Sequence, residues 1–171
     1  TKRQQEFYRA IRRCAYNLRQ LNDFSLFGSS ANVREPIQGQ SRITVVFLNQ
    51  AIQGLDDSYL VEREKRLLIQ IGKALSENDR IKLYFKPHPN NLKTLPPAGF
   101  EKITKIDTIN GKVGTVFASY YSTCQIDPTF KGRKCLISDD FIFPEILFDE
   151  TEEILSVDSF VGLVKDMANH I

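Results

Sequence analysis

Short, unbroken apolar runs in the middle of the chain limit what it can fold into. Residues 42–49 (RITVVFLN), 81–86 (IKLYFK), 113–118 (VGTVFA) and 134–138 (KCLIS) are rich in β-branched and aromatic side chains and are bounded by polar or turn-forming segments. That is the pattern of buried strands. Residues 100–105 (FEKITK) predict a further short strand. Between the first two runs, residues 59–76 carry Leu68, Ile71 and Leu75 at helical spacing, and 77–80 (ENDR) break the pattern. Residues 156–169 predict a terminal helix with Phe160, Leu163, Val164 and Met167 inward. Ser119 to Thr123 reads as a polar turn opening a short helix. Apolar strands alternating with helices predict an α/β fold: a Rossmann-like domain with a mostly parallel sheet flanked by helices. In such folds ligands lie beyond the carboxyl ends of the strands.

The 171 residues suit one domain with an appended arm. Residues 4–21 predict a helix, with Phe7, Ile11, Cys14, Leu18 and Leu21 on one face and arginines on the other. Residues 22–41, rich in Asn, Ser, Gly and Gln, read as a linker. The expected division is therefore a basic helical arm and linker over 1–41 and an α/β nucleotide-binding domain over 42–171. The chain starts at Thr1 and not at Met, so a processed product or a fragment is expected.

A net charge of +2 conceals strong asymmetry: residues 1–20 carry +5 and residues 139–171 carry −8. The basic arm is expected to pair within the chain or stay solvated, not to bind nucleic acid. An anionic membrane surface and pairing with a second copy stay open as uses for it. Three cysteines, Cys14, Cys124 and Cys135, with no C-x-x-C, argue against a disulfide framework or a zinc site and fit a reducing compartment. Cys14 and Cys135 lie in apolar runs and read as core thiols. No apolar run approaches the roughly 18–20 residues that cross a bilayer, and no signal-peptide core is visible. A cytoplasmic location, with peripheral contact at the inner membrane as an option, is expected.

Two segments carry the chemistry. In Tyr84-Phe85-Lys86-Pro87-His88-Pro89-Asn90 a strand runs into a histidine held between two prolines. Each proline fixes its own φ and restricts its predecessor, so the imidazole is presented on a stiff loop. It can donate to an anionic oxygen, with Lys86 as a nearby cation. The bland counterpart is a proline-stiffened surface turn. In Ser119-Tyr120-Tyr121-Ser122-Thr123, hydroxyls and free backbone N–H groups at a helix start suit a phosphate, although a plain N-cap uses the same residues. GxGxxG and GxxxxGK[ST] signatures are absent.

The combination resembles the nucleotide-binding C-terminal domain of GT-B glycosyltransferases, closest to bacterial sialyltransferases, polysialyltransferases and capsule Kdo transferases. The likeness covers roughly residues 42–140. It rests on Lys86-Pro87-His88-Pro89, which looks like a Lys-x-His-Pro motif, on Ser122-Thr123, and on Gln50 after the first strand, in Val46-Phe47-Leu48-Asn49-Gln50. The resemblance implies a CMP-sugar as donor, with His88 catalytic at the donor phosphate and Gln50, Lys86, Pro89, Ser122 and Thr123 in the binding site; Ser119, from the hydroxyl-rich segment, is a further candidate for binding. It implies transfer of sialic acid or a similar acidic sugar to a cell-surface glycan, in capsule or lipooligosaccharide biosynthesis, with no cofactor and no metal. Residues 106–112 (IDTINGK) lack the family's Pro-x-Glu element, and Pro128 shortens or delays the helix after Thr123. An N-terminal acceptor domain, which in this family usually supplies the catalytic base, would be a further partner, so the isolated chain is expected to bind nucleotide with little turnover.

Glu145 is a candidate acceptor for ribose hydroxyls, whereas Asp139-Asp140 and Asp56-Asp57 read as solvated or helix-terminal acids. Tyr120 and Tyr121 offer base stacking or half-buried packing. His170, penultimate, reads as inert. Two other functions fit the same residues: a CDP-glycerol-type glycerophosphotransferase domain, and a non-catalytic α/β module whose arm recruits a partner.

Overall fold

A computed structural model describes residues 42–49, 58–107, 109–120, 131–137 and 153–171. The basic arm and linker over 1–41, the expected helix after Thr123, Asp56-Asp57, Asp139-Asp140 and two of the three cysteines lie outside them.

The central strand β1 (Ile43–Leu48) is buried almost throughout, which explains its unbroken apolar sequence. Helix α1 (Ser58–Leu75) follows and leads to β2 (Ile81–Lys86), in parallel register with β1 from Ile43↔Ile81 to Leu48↔Lys86. After a 3₁₀ turn at Pro89–Asn91 come β3 (Glu101–Lys102), β4 (Thr115–Ser119), β5 (Arg133–Ile137), β6 (Glu153–Leu155) and α2 (Val157–Asn169). The six strands form one sheet in the order β3-β2-β1-β4-β5-β6, and every pairing is parallel. The chain is thus an α/β protein, as the alternation of runs predicts. All the carboxyl ends of the strands lie on one edge.

The order reverses at β1. From it the chain builds outward through β2 and β3, then returns to add β4, β5 and β6 on the other side. In parallel sheets of this kind, the carboxyl ends of the strands flanking such a reversal are where ligands bind.

Each face has its own cover. On one face α1 and α2 touch one another and the sheet. Helix α1 contributes Leu67, Leu68, Ile71 and Leu75, all buried, opposite Ile43, Val45, Phe47, Leu83 and Phe85. On the other, Val46, Leu48 and Phe117 pack with Tyr84, Ile103, Ile106 and Ile109. Gly72 of α1 lets the chain at Ala98 and Phe100 approach: a Cβ there would lie 2.5 Å from the Ala98 carbonyl oxygen. Lys82 and Glu101 form an ion pair at 3.3 Å between β2 and β3, which helps hold a strand only two residues long.

Helix α2 begins on a side-chain cap. The Ser156 hydroxyl accepts from the Ser159 backbone N–H at 3.1 Å, satisfying one of the donors a helix start leaves open. At its other end Arg80 donates from Nη1 to the carbonyls of Ala168 and Ile171, both at 3.3 Å. The inward residues are Val157, Phe160, Val164 and Ala168. Phe160 and Val164 match the expectation, whereas Leu163 and Met167 are half-buried. The helix packs on a narrower stripe than its apolar content suggests.

Strands β1 and β5 fall within one residue of expectation at each end, and three differences are larger. The strand expected over 113–118 runs from Thr115 to Ser119, so Ser119 belongs to β4 and not to a polar turn. The strand expected over 100–105 shrinks to two residues paired with Tyr84 and Phe85. Strand β6, within an acidic stretch, was not expected. It pairs Glu153, Ile154 and Leu155 with Cys135, Leu136 and Ile137. Cys135 is fully buried, a core thiol as its apolar run predicts.

Candidate functional site

The carboxyl edge of the sheet gathers the described residues that the sequence marks for chemistry. Strand β2 ends at Lys86, which is half-buried, and the chain continues through buried Pro87 to half-buried His88. The Asn91 N–H donates to the His88 carbonyl at 2.8 Å and closes the turn behind the imidazole. Pro89, at the start of the 3₁₀ turn, is exposed. Two prolines and that hydrogen bond restrict the backbone on both sides of the histidine.

His88 has a pKa below the ordinary histidine value. Burial disfavours its cation, and the positive charge of Lys86 adds to the effect. The turn thus sets a lysine side chain beside an imidazole whose neutral form is favoured. That pair can bind a phosphoryl oxygen by charge and by a directed hydrogen bond.

Next to this pair stands the end of β1. The Asn49 N–H donates to the Lys86 carbonyl at 3.0 Å, continuing the parallel ladder one step past the strand. The Asn49 side chain turns to the helix: Nδ2 donates to Oε2 of Glu64 at 2.8 Å. Glu64 lies in α1 and is only 5% exposed. A buried carboxylate needs partners, and the amide is one of them. Sequence reasoning missed both residues. The signal was present: Glu64 falls four before Leu68 and seven before Ile71, so a carboxylate occupies the first slot of the helix's buried stripe.

On the far side of β1, β4 ends in Ser119 and is followed by Tyr120. Both are buried, Ser119 completely. Ser119 pairs with Leu136, within the ladder. Its strand is separated from Lys86 by β1, two strand spacings or about 10 Å. The structure thus joins Lys86, His88 and Pro89 in one turn, adds Asn49 and Glu64 beside them, and places Ser119 inside the sheet across the switch in strand order. Gln50, Ser122, Thr123 and Glu145 lie outside the described residues. His170 caps α2 far along the chain from this edge, with Nδ1 at 2.7 Å from the Asp166 carbonyl oxygen. Among the described residues no three His, Cys, Asp or Glu side chains converge as metal ligands would, and no helix is long and apolar enough to cross a membrane.

Comparison with protein-family models, with curated proteins and with solved structures finds no match to this chain.

Proposed function

We propose that this domain binds a CMP-activated acidic sugar at the carboxyl edge of its sheet and acts as the donor half of a glycosyltransferase. The observation that carries the reading is the pairing of half-buried His88 with Lys86 at the end of β2, next to the strand where the sheet order reverses. The strand order 3-2-1-4-5-6 supports a Rossmann-like architecture, in which nucleotides bind at such a reversal. The likeness of Lys86-Pro87-His88-Pro89 and Ser122-Thr123 to GT-B enzymes supplies the donor class.

In the reaction, the bond from the sugar's anomeric carbon to the phosphate oxygen breaks and its electron pair leaves with CMP. An acceptor hydroxyl forms the new bond, and its proton passes to a base on the acceptor domain. Negative charge grows on the departing phosphate. In this reading His88 and Lys86 act on that charge as it develops and stabilise the transition state more than the ground state. Ser122 and Thr123 take the remaining phosphate oxygens. The protein works at the cytoplasmic side of a membrane on a glycan acceptor.

Calorimetric titration with CMP and a CMP-sugar tests this. Binding that weakens roughly 10- to 100-fold in His88→Ala is expected for loss of a charge-assisted hydrogen bond. No binding by the intact chain, or binding indifferent to His88, overturns it.

A further inference from the structure

The site is electrically polar along the sheet edge. At the end of β2 stand the side chains of Lys86 and His88. One strand over, at the end of β1, stand the Asn49 amide and the Glu64 carboxylate, with Nδ2 donating to Oε2 at 2.8 Å. The two ends touch, since the Asn49 N–H donates to the Lys86 carbonyl at 3.0 Å.

A carboxylate accepts hydrogen bonds from an amide N–H and repels an amide oxygen. Glu64 therefore fixes which way round the Asn49 amide sits: Nδ2 faces the helix and Oδ1 is turned away from it. Because Glu64 is buried in the stripe that seats α1 on the sheet, this choice is held by the core and not by solvent. Asn49 itself is half-buried, directly after β1, the strand at which the sheet order reverses. Its Oδ1 is an acceptor. Such a group disfavours a phosphate oxygen and favours a hydrogen-bond donor on a ligand.

We infer that Asn49 recognises the nucleoside half of the nucleotide, accepting from a ribose hydroxyl or an exocyclic base amine, and that Glu64 is its positioning residue. This rests on the reading of the site as a CMP-sugar site. A nucleotide has the same polarity as the site, with an anionic phosphate at one end and donor-bearing nucleoside at the other. The phosphate lies toward His88 and Lys86 and the nucleoside toward Asn49.

Dissociation constants of CMP, UMP and 2′-deoxycytidine monophosphate, measured on the full chain, test the assignment. UMP lacks the exocyclic amine and the deoxy compound lacks one ribose hydroxyl, so the two arms separate the two donors. The intact chain is expected to prefer CMP over at least one of them by about tenfold, the scale of one hydrogen bond. Asn49→Leu, close in shape, is expected to reduce that preference to about twofold or less. Glu64→Ala is expected to do the same by freeing the amide to turn over, and Glu64→Gln to restore the preference, because its Oε1 still accepts from Asn49. Asn49→Leu leaves Glu64 in place, so it decides the matter even if Glu64→Ala fails to fold. CMP binding that depends on His88 but keeps its full preference in Asn49→Leu overturns this inference and leaves the donor-site reading standing. No CMP binding by the intact chain overturns both.

Discussion

His88 stands two residues beyond Lys86 across a buried proline, and its proton affinity is lowered by its own burial and by that neighbour's charge. The pair places a lysine beside an imidazole whose neutral form is favoured, within one short turn. It also makes the site's response to pH and to single substitutions specific enough to measure.

The His88 pKa reports on Lys86 directly. Replacing Lys86 with Met removes the second cause of the depression and leaves burial, the larger one, in place. Imidazole resonances followed by NMR are expected to show His88 titrating higher in Lys86→Met than in the intact chain, yet still below the ordinary value. A variant with His170→Gln leaves His88 as the sole histidine and removes ambiguity of assignment. An unchanged His88 titration would refute the coupling.

Stability has a matching pH dependence. The folded-state pKa of His88 is lowered relative to the unfolded chain, so the unfolded state binds more protons between the two values. This contribution is present above the unfolded histidine pKa of about 6.5 and is lost as pH falls from there toward the lower folded value. Urea midpoints in that window are expected to fall less with acidification in His88→Gln than in the intact chain.

Binding of a phosphodiester donor responds in the opposite direction. A diester keeps its single charge across this range, so His88 is the titrating partner. An anion beside the imidazole favours its protonated form. Affinity for a CMP-sugar is expected to rise as pH is lowered from 8 to 6, with uptake of protons on binding, and His88→Gln is expected to remove most of the slope. Calorimetry in buffers of different ionisation enthalpy measures that uptake.

Gly72 marks a close approach of α1 to the chain beyond β2. A Cβ would lie 2.5 Å from the Ala98 carbonyl oxygen and 3.3 Å from the Phe100 ring. The backbone oxygen cannot swing aside as a side chain can. Gly72→Ala is expected to cost about 1–3 kcal/mol, despite alanine's better helix propensity. A urea midpoint equal to or above that of the intact chain would show that the segment yields freely.

The cap of α2 gives a smaller effect of known sign. The Ser156 hydroxyl holds the Ser159 N–H at 3.1 Å. Ser156→Ala is expected to cost about 1 kcal/mol and Ser156→Asp to recover it, since an aspartate accepts the same bond and favours the helix's positive end. Thermal unfolding of both variants checks the order.

Local patterns in the chain determined where several elements lie. The run ITVVFL could only be a strand buried on both faces, and IKLYFK alternates so that Ile81, Leu83 and Phe85 are buried while Lys82, Tyr84 and Lys86 are half-exposed. The stripe of Leu68, Ile71 and Leu75 and the prolines around His88 are equally local, so α1 and the stiff histidine turn follow from the residues themselves. The remaining features are non-local. Strand β6 has three residues in an acidic stretch and exists because β5 offers it an edge. The strand order that puts β1 between β2 and β4 is a choice among partners that no single run encodes. Ser119 is a strand residue because β5 lies beside it, pairing it with Leu136. Glu64 was readable as a charge in an apolar stripe, but its meaning came from Asn49, fifteen residues earlier, brought within 2.8 Å by the β1–α1 crossover. Periodicity records which face of an element is buried, and the partner that meets that face is settled by packing the whole chain.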